Sequence, residues 1–162
     1  MKLTFARLEQ KDILFLSELL NDPAVVSSLH INVMDYAAWL DAYLTHWNND
    51  TDEAHFIMFS KKTPVGWLKL NGLDSTDRDA AWISMLVVGK ENQRRGAGHH
   101  AVAFSETFAK ERGFCKLAIH TTCDNLAAIA LYLSCGYKIT KYGSCTTGDG
   151  KHRVGYTFMK DI

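Results

Sequence analysis

The sequence is poor in proline, carries no excess of either charge and contains no long apolar run. Only two of its 162 residues are proline and 47% are hydrophobic, a composition that excludes collagen-like and disordered chains. Its 18 Lys and Arg are balanced by 18 Asp and Glu, so no overall field draws nucleic acid or an anionic membrane to it. We therefore expect a globular domain without a nucleic-acid or membrane partner.

Paired cysteines and targeting segments are also missing. The four cysteines stand singly in the sequence, at Cys115, Cys123, Cys135 and Cys145, which favours reduced thiols over disulfides or a zinc site. No apolar run approaches the roughly 18 residues that span a bilayer, and charged residues follow the N-terminus too closely for a signal-peptide core. We therefore expect a cytoplasmic protein that holds no metal.

A single domain over residues 1–162 is predicted, because the chain shows neither an internal repeat nor a linker. Apolar runs rich in β-favouring residues predict strands at 3–8, 55–60, 65–70, 80–88, 116–121, 137–142 and 153–159. Helical spacing and capping residues predict helices that begin after Asp12, Asp22 and Asp35, and further helices over 96–112 and 125–134.

The order of these elements, β-α-α-α-β-β-β-α-β-α-β-β, predicts an α/β fold in which helices cover both faces of a mixed sheet. Strand 80–88, helix 96–112 and strand 116–121 form the expected crossover between parallel strands. Helix 125–134 is apolar on nearly every side, so we expect it to be buried. The glycine-rich segment 143–150 is predicted to be a hairpin loop.

The segment Gln93-Arg94-Arg95-Gly96-Ala97-Gly98 lies between a predicted strand and a predicted helix. Backbone N–H groups at a helix N-terminus attract anions, glycine lets a phosphate approach the backbone, and the two arginines add charge, so this segment is a candidate anion site. Two alternatives remain open at this point. One is an exposed basic turn, and the other is a dinucleotide fingerprint, although that fingerprint requires glycine directly after the strand.

Two segments resemble the motifs of the GNAT superfamily of N-acetyltransferases. Leu86-x-Val88 followed by residues 93–98 is similar to its acetyl-CoA motif, Q/R-x-x-G-x-G/A after a strand. Residues 125–137 are similar to its N-x-x-A-x-x-L-Y-x-x-x-G-F segment, with Tyr137 in place of the usual Phe. The resemblance extends over the whole chain. It implies a GNAT-like fold, with a mixed central sheet of about seven strands that is flanked by helices and splayed between strands 80–88 and 116–121.

The resemblance also implies acetyl-CoA as cosubstrate. Backbone groups of the strand would then bond the pantetheine chain and orient the acetyl carbonyl, while the amides of residues 94–99 would bind the pyrophosphate. Asn125 would bond the pantetheine, cap a helix, or do both. The candidate cofactor-binding residues are Leu86, Val87, Val88, Gln93, Arg94, Arg95, Gly96, Ala97, Gly98, His99 and Asn125.

Two residues are the candidate catalytic groups. Tyr132 matches the general acid of the family and would protonate the departing CoA thiolate, although a tyrosine on a helix also commonly packs in a core. Many relatives carry a Glu on the strand that matches 80–88, whereas this strand has no carboxylate. His120 alternates out of phase with Leu117 and Ile119, so we expect it to face the cleft as the general base or as the residue that orders a base water. The alternatives are a histidine bonded to a neighbour and deprotonation through a water chain.

The sequence therefore predicts an acetyl-CoA-dependent N-acetyltransferase that acts on a primary amine. The amine, which belongs to a small molecule or to a peptide or protein N-terminus, attacks the thioester directly in a ternary complex. A non-catalytic acyl-CoA-binding or regulatory module is the alternative, and it would not need Tyr132. No motif identifies the acceptor. The aromatic residues at helical spacing between Tyr36 and Trp47 are interpreted as core rather than as an amine-binding wall. Exposed sheet edges are compatible with a homodimer.

Overall fold

A seven-stranded mixed sheet organises residues 2–162, which are the residues that the computed structural model describes. The strands are β1 (Leu3–Arg7), β2 (Ala54–Ser60), β3 (Thr63–Asn71), β4 (Ala80–Val88), β5 (Lys116–Thr122), β6 (Lys138–Thr146) and β7 (His152–Asp161). The helices are α1 (Ile13–Asn21), α2 (Pro23–Leu29), α3 (Tyr36–Asn49), α4 (Ala97–Lys110) and α5 (Leu126–Ser134). Within residues 2–162 no helix is long and apolar enough to cross a membrane.

The strands lie in the order β1-β2-β3-β4-β5-β7-β6, and only the pair β4 and β5 is parallel. Helix α4 connects these two strands, which confirms the predicted crossover. The α/β class and the mixed seven-stranded sheet are likewise confirmed.

Three helix starts that were predicted from capping residues are confirmed. The Asp22 carboxylate accepts hydrogen bonds from the backbone N–H groups of Ala24 and Val25, at 2.8 and 3.3 Å. The Asp35 carboxylate caps α3, and the Asn125 side-chain oxygen caps α5 by accepting from Ala128 at 3.2 Å. These bonds satisfy amides that have no partner inside the helix, so the helices begin where the short polar side chains stand.

Apolar residues pack on both faces of the sheet. Helix α4 contributes Val102 and Phe108 to one face, where they meet strand residues such as Leu117. Helices α1 and α3 contribute Leu16 and Leu40 to the other face. Leu16, Leu40, Val102 and Leu117 are at most 1% exposed, and burial of side chains of this kind stabilises a fold by roughly 1.5–3 kcal/mol each.

The prediction that the helix over 125–134 is buried was wrong. In α5 only Tyr132 is buried, while Leu126 and Leu133 are 72% and 51% exposed. Within residues 2–162, one side of α5 packs against the core of the sheet, while the side that carries Leu126 and Leu133 is exposed. Apolar composition shows that a helix can be buried, but a neighbouring element must exist to cover each face.

The predicted loop at 143–150 is shorter than expected. Strands β6 and β7 remain paired up to Thr146 and His152, so the turn is confined to the residues between them. Arg153 binds Asp149 through both of its terminal nitrogens, at 2.7 and 2.8 Å. This ion pair closes the tip of the hairpin, and the backbone N–H of Asp149 donates to the carbonyl of His30 at the end of α2, at 2.8 Å.

Pairing between β4 and β5 stops half-way along the two strands. It runs from Ala80 opposite Lys116 to Ile83 opposite Ile119, although β4 continues to Val88 and β5 to Thr122. The β3–β4 register places Leu70 opposite Ile83 but Lys69 opposite Met85, so Ser84 is an extra residue that bends β4. On its other side β5 stays close to β7, since a Cβ at Gly155 would lie 2.4 Å from the Thr121 carbonyl oxygen. The splay expected between strands 80–88 and 116–121 is therefore present.

Candidate active site

Two adjoining cavities lie at the splay between β4 and β5. The first, which we call the loop cavity, has a volume of about 520 Å³ and is formed by the end of β4, the segment before α4, the first turn of α4, and α5. The second, which we call the sheet cavity, has a volume of about 480 Å³. Ser28, Leu29 and Asn125 line both cavities. Molecules bound in the two cavities would therefore meet at these residues.

The loop cavity brings together nearly all of the residues predicted to bind the cofactor. It is lined by Leu86, Val87, Val88, Gln93, Arg94, Gly96, Ala97, Gly98, His99 and Asn125, and also by Tyr132. Arg95 belongs to the same segment but does not line the cavity. The structure thus brings all of the predicted cofactor-binding positions except Arg95 to one cavity, and their binding of a cofactor stays a prediction.

The backbone of the loop turns sharply before α4. Arg94 and Gly96 have left-handed φ angles of 60° and 85°, and the first helical bond is donated by His100 to the Gly96 carbonyl. The backbone N–H groups of Ala97, Gly98 and His99 therefore have no acceptor within the helix. These free donors, the positive end of the helix dipole and the Arg94 guanidinium are suited to an anion such as a phosphate.

Gly98 has a packing role that the sequence did not reveal. A Cβ at this position would lie 2.7 Å from Cδ2 of Leu131, so glycine is what lets α5 approach the first turn of α4. The His99 ring adds a second contact between the same helices, since its Nε2 lies 2.9 Å from Oγ of Ser134. The two walls of the loop cavity are held together by these contacts.

The edge of β4 that faces β5 is unpaired beyond Ile83. Polar backbone groups at a free strand edge are available to a ligand that lies along the strand. The Val88 carbonyl is an exception, because the Gln93 side chain donates a hydrogen bond to it at 3.0 Å. Gln93 therefore also fixes the start of the loop against the end of the strand.

Tyr132 is buried in the wall of the loop cavity. It is 5% exposed, and its ring centroid lies 5.6 Å from that of Phe158 and 6.2 Å from that of Tyr137. Burial, with a smaller effect of Cys135, raises the pKa of the Tyr132 phenol well above its ordinary value of 10.0. The phenol is therefore protonated at neutral pH and has a proton to donate in that range.

The sheet cavity has a floor of side chains from one face of three neighbouring strands. Asn71 of β3 pairs across the sheet with Trp82 of β4, Ser84 is the extra residue of the β4 bulge, and His120 stands on β5. The walls are the end of α2 and the start of the β6–β7 turn. Sequence reasoning identified only His120 on this floor, because the other positions depend on strand register.

His120 faces the sheet cavity, as its alternation with core residues predicted. Leu117 and Ile119 are 0% and 3% exposed on the core side, whereas His120 is exposed and lines the cavity. Its Nδ1 lies 3.3 Å from Oγ1 of Thr157. Partial burial, and then the positive charge of Lys141, lower the pKa of the His120 imidazole below its ordinary value of 6.5. The ring is thus mainly neutral at neutral pH, so one of its two nitrogens carries a lone pair that can accept a proton.

The end of α2 is joined to the opposite side of the cavities by polar contacts. His30 Nε2 lies 3.0 Å from Oδ2 of Asp124, and Asn125 Nδ2 donates to the Ser28 carbonyl at 3.4 Å. Together with the bond from Asp149 to His30, these contacts connect α2, the β5–α5 turn and the β6–β7 turn. We refer to these three contacts as the α2 clamp.

The aromatic residues of α3 that the sequence singled out lie away from both cavities. Of the aromatic residues on α3, Tyr36 is 7% exposed in the core, and Trp47 stacks on His55 with ring centroids 4.2 Å apart. The interpretation of this stripe as core holds for Tyr36, whereas Tyr43 is 45% exposed, and neither residue lines the loop cavity or the sheet cavity. Cys145 lines the sheet cavity, a position that the sequence did not indicate.

Comparison with known proteins identifies the family. The profile of the acetyltransferase (GNAT) family matches residues 16–137, which is well over half of the chain. The chain belongs to this family.

Among curated GNAT relatives, probable N-acetyltransferase 14 of Xenopus tropicalis is 33% identical over 90 residues, which cover 53% of this chain and 40% of that protein. Streptothricin acetyltransferase of Escherichia coli is 29% identical over 97 residues, covering 60% of this chain and 54% of that protein. The matches thus span about half of these relatives or less.

A solved structure supports the fold over nearly the whole chain. Spermidine N-acetyltransferase from Vibrio cholerae, in complex with CoA and spermine, superimposes with a TM-score of 0.84 over 98% of this chain and 95% of its own. The two sequences are only 19% identical, so this similarity establishes the GNAT fold and nothing about the acceptor.

The contact between Gly98 and Leu131 can be tested by stability. We expect Gly98→Val to lower the free energy of unfolding by about 1–3 kcal/mol, because the new side chain overlaps Leu131. The loss in the double variant with Leu131→Ala should be smaller than the sum of the two single losses by about 0.5 kcal/mol or more. Denaturant unfolding measures both quantities. Ala103→Val, at an exposed position of α4, controls for the effect of valine itself on the stability of this helix. A loss in the double variant that equals the sum of the two single losses would contradict the contact between Gly98 and Leu131.

Proposed function

We propose that this GNAT protein transfers the acetyl group of acetyl-CoA to a primary amine by direct attack within a ternary complex. The observation that carries the proposal is the meeting of two cavities at the splay, with Tyr132 in the wall of one and His120 on the floor of the other. A chain that only bound a CoA ester would need neither a second cavity nor two proton-transfer groups beside the junction.

The loop cavity is the proposed site of acetyl-CoA. Its free amides at the start of α4 and the Arg94 guanidinium suit the pyrophosphate, while the unpaired edge of β4 suits the amide groups of pantetheine. Leu86 and Leu131 offer apolar surface along the same cavity. The solved spermidine N-acetyltransferase holds CoA on the same fold, which supports this assignment.

The sheet cavity is the proposed site of the amine. An amine with a lysine-like pKa near 10.4 is protonated at neutral pH, so it must lose a proton before its nitrogen can attack. The neutral His120 ring accepts that proton, directly or through a water molecule. The deprotonated nitrogen then bonds to the acetyl carbon at the junction of the two cavities.

Tyr132 is the proposed general acid. When the carbon–sulfur bond of the thioester breaks, the phenol donates its proton to the sulfur, and CoA leaves as a thiol. The nitrogen loses a second proton as the amide forms, and this proton restores the Tyr132 phenol. The proton held by His120 passes to solvent, so each turnover of an ammonium substrate releases one proton overall. The resulting products are an N-acetylated amine and free CoA.

Binding of CoA tests the assignment of the loop cavity. We expect Arg94→Glu to weaken CoA binding by about 10-fold or more, since a carboxylate then faces the phosphates. Titration calorimetry with CoA measures this change. Lys90→Glu makes the same charge reversal on a nearby residue that does not line the cavity, and its effect should be several-fold smaller. Equal losses of CoA affinity in the two variants would show that Arg94 acts only through the overall electrostatic field of the protein and not through a local contact with the phosphates.

Removal of the Tyr132 hydroxyl tests catalysis against mere binding. Tyr132→Phe should keep the affinity for CoA but lower kcat by roughly 10- to 10⁴-fold, because only the proton donor is lost. The measurement is the release of free thiol from acetyl-CoA with an accepted amine. A variant with the wild-type kcat across neutral and mildly alkaline pH would assign Tyr132 to packing and favour the non-catalytic alternative.

The pH dependence of kcat/KM tests His120. Because its pKa is lowered, the ring remains an acceptor down to below pH 6.5, and activity should fall only when the pH decreases further. In His120→Gln we expect kcat/KM to fall by roughly 10- to 100-fold and this acidic limb to disappear. His100→Gln, which changes a histidine of α4 outside both cavities, should keep the limb. An unchanged limb in His120→Gln would eliminate His120 as the base.

A further inference from the structure

The charge of the sheet cavity bears on which amines it accepts. Its fifteen lining residues are neutral or carry an imidazole, and none is a carboxylate. Hydroxyl and amide groups predominate, with Ser84, Asn71 and Thr146 as examples from three different strands. Lys141 is a positive charge close enough to His120 to contribute, after partial burial, to lowering the pKa of its imidazole.

The two carboxylates at the rim, Asp124 and Asp149, already have side-chain partners. Asp124 is paired with His30 in the α2 clamp. Asp149 is held by the fork of Arg153, which keeps the pKa of that carboxyl well below its usual range. A second ammonium group on the acceptor would have to compete with Arg153 for Asp149 or with His30 for Asp124, and otherwise it would lie in the cavity without a counter-charge.

Asn71 offers a different kind of partner. Its Oδ1 is buried and has no hydrogen bond within residues 2–162. Rotation of the side-chain amide would bring this oxygen to a donor group of a ligand, and the new hydrogen bond would satisfy it. The Trp82 indole lies beside it on the floor. That ring can attract one ammonium group and cover carbon atoms of the acceptor.

We infer that the sheet cavity selects a singly charged amine on a neutral body that bears hydroxyl or amide groups, and that polyamines are poor acceptors. This inference rests on the proposed function, because it concerns the acceptor of the same reaction. It separates this chain from the solved relative that holds spermine, with which it shares the fold at 19% identity. Asn71 and Ser84 are the residues that determine the selection.

A matched pair of amines tests the inference. Cadaverine and the amino alcohol of equal chain length differ only in that a hydroxyl replaces one ammonium group. With wild-type protein and acetyl-CoA, we expect kcat/KM for the amino alcohol to exceed that for cadaverine by about 10-fold or more. A kcat/KM for cadaverine that equals or exceeds that of the amino alcohol would overturn the inference.

Placing a carboxylate on the floor should invert the preference. Ser84 is exposed, so Ser84→Asp keeps its charge solvated, and we expect it to raise kcat/KM for cadaverine relative to the amino alcohol by about 10-fold. Asn71→Asp makes the same change from the neighbouring strand. Ser60→Asp is the control, since Ser60 lies at the opposite end of the β2–β3 hairpin, and it should leave the ratio unchanged. An unchanged ratio in both folded floor variants would also overturn the inference.

Binding separates failure of this inference from failure of the proposed function. Calorimetric titration of the CoA-loaded protein with each amine requires no turnover. Tighter binding of the amino alcohol without any acetyl transfer would uphold the selectivity and overturn the proposed reaction. Equal binding of both amines, or of neither, would overturn the selectivity whether or not acetyl transfer occurs.

Discussion

The site depends on the loss of pairing between two parallel strands. Beyond Ile83 and Ile119 the backbones of β4 and β5 separate, while β4 stays bonded to β3 and β5 to β7. A continuous sheet would bond every strand edge to its neighbour and leave no polar backbone available. The divergence opens a gap between the two strands, and residues of β4 line both cavities beside it. The bulge at Ser84 is the local cause, because one additional residue bends β4 away.

Local signals in the sequence predicted most of the fold. The capping residues Asp22, Asp35 and Asn125 fixed three helix starts, since a cap acts within a few residues of its own position. The bounds of β4 were also predicted as observed. The loop before α4 was found for the same reason, because its chemistry is contiguous along the chain.

Features that depend on non-local pairing could not be predicted in this way. The floor of the sheet cavity joins Asn71, Trp82 and His120, which become neighbours only through the register of β3, β4 and β5. The exposure of Leu126 was missed because it depends on whether another element covers α5. The second role of Gly98 needed the position of Leu131, 33 residues later in the sequence. In each case the decisive partner is distant along the chain.

The α2 clamp has a mechanical consequence. Its contacts are three polar links near the surface, from His30 to Asp124, from Asn125 to Ser28 and from Asp149 to His30. Bonds of this kind contribute little net free energy, because water replaces them when they break. The rim can therefore separate on its own while the buried layers on either side of the sheet stay intact. Opening of these contacts would widen the entrance to the junction of the two cavities while the buried core on either side of the sheet is retained.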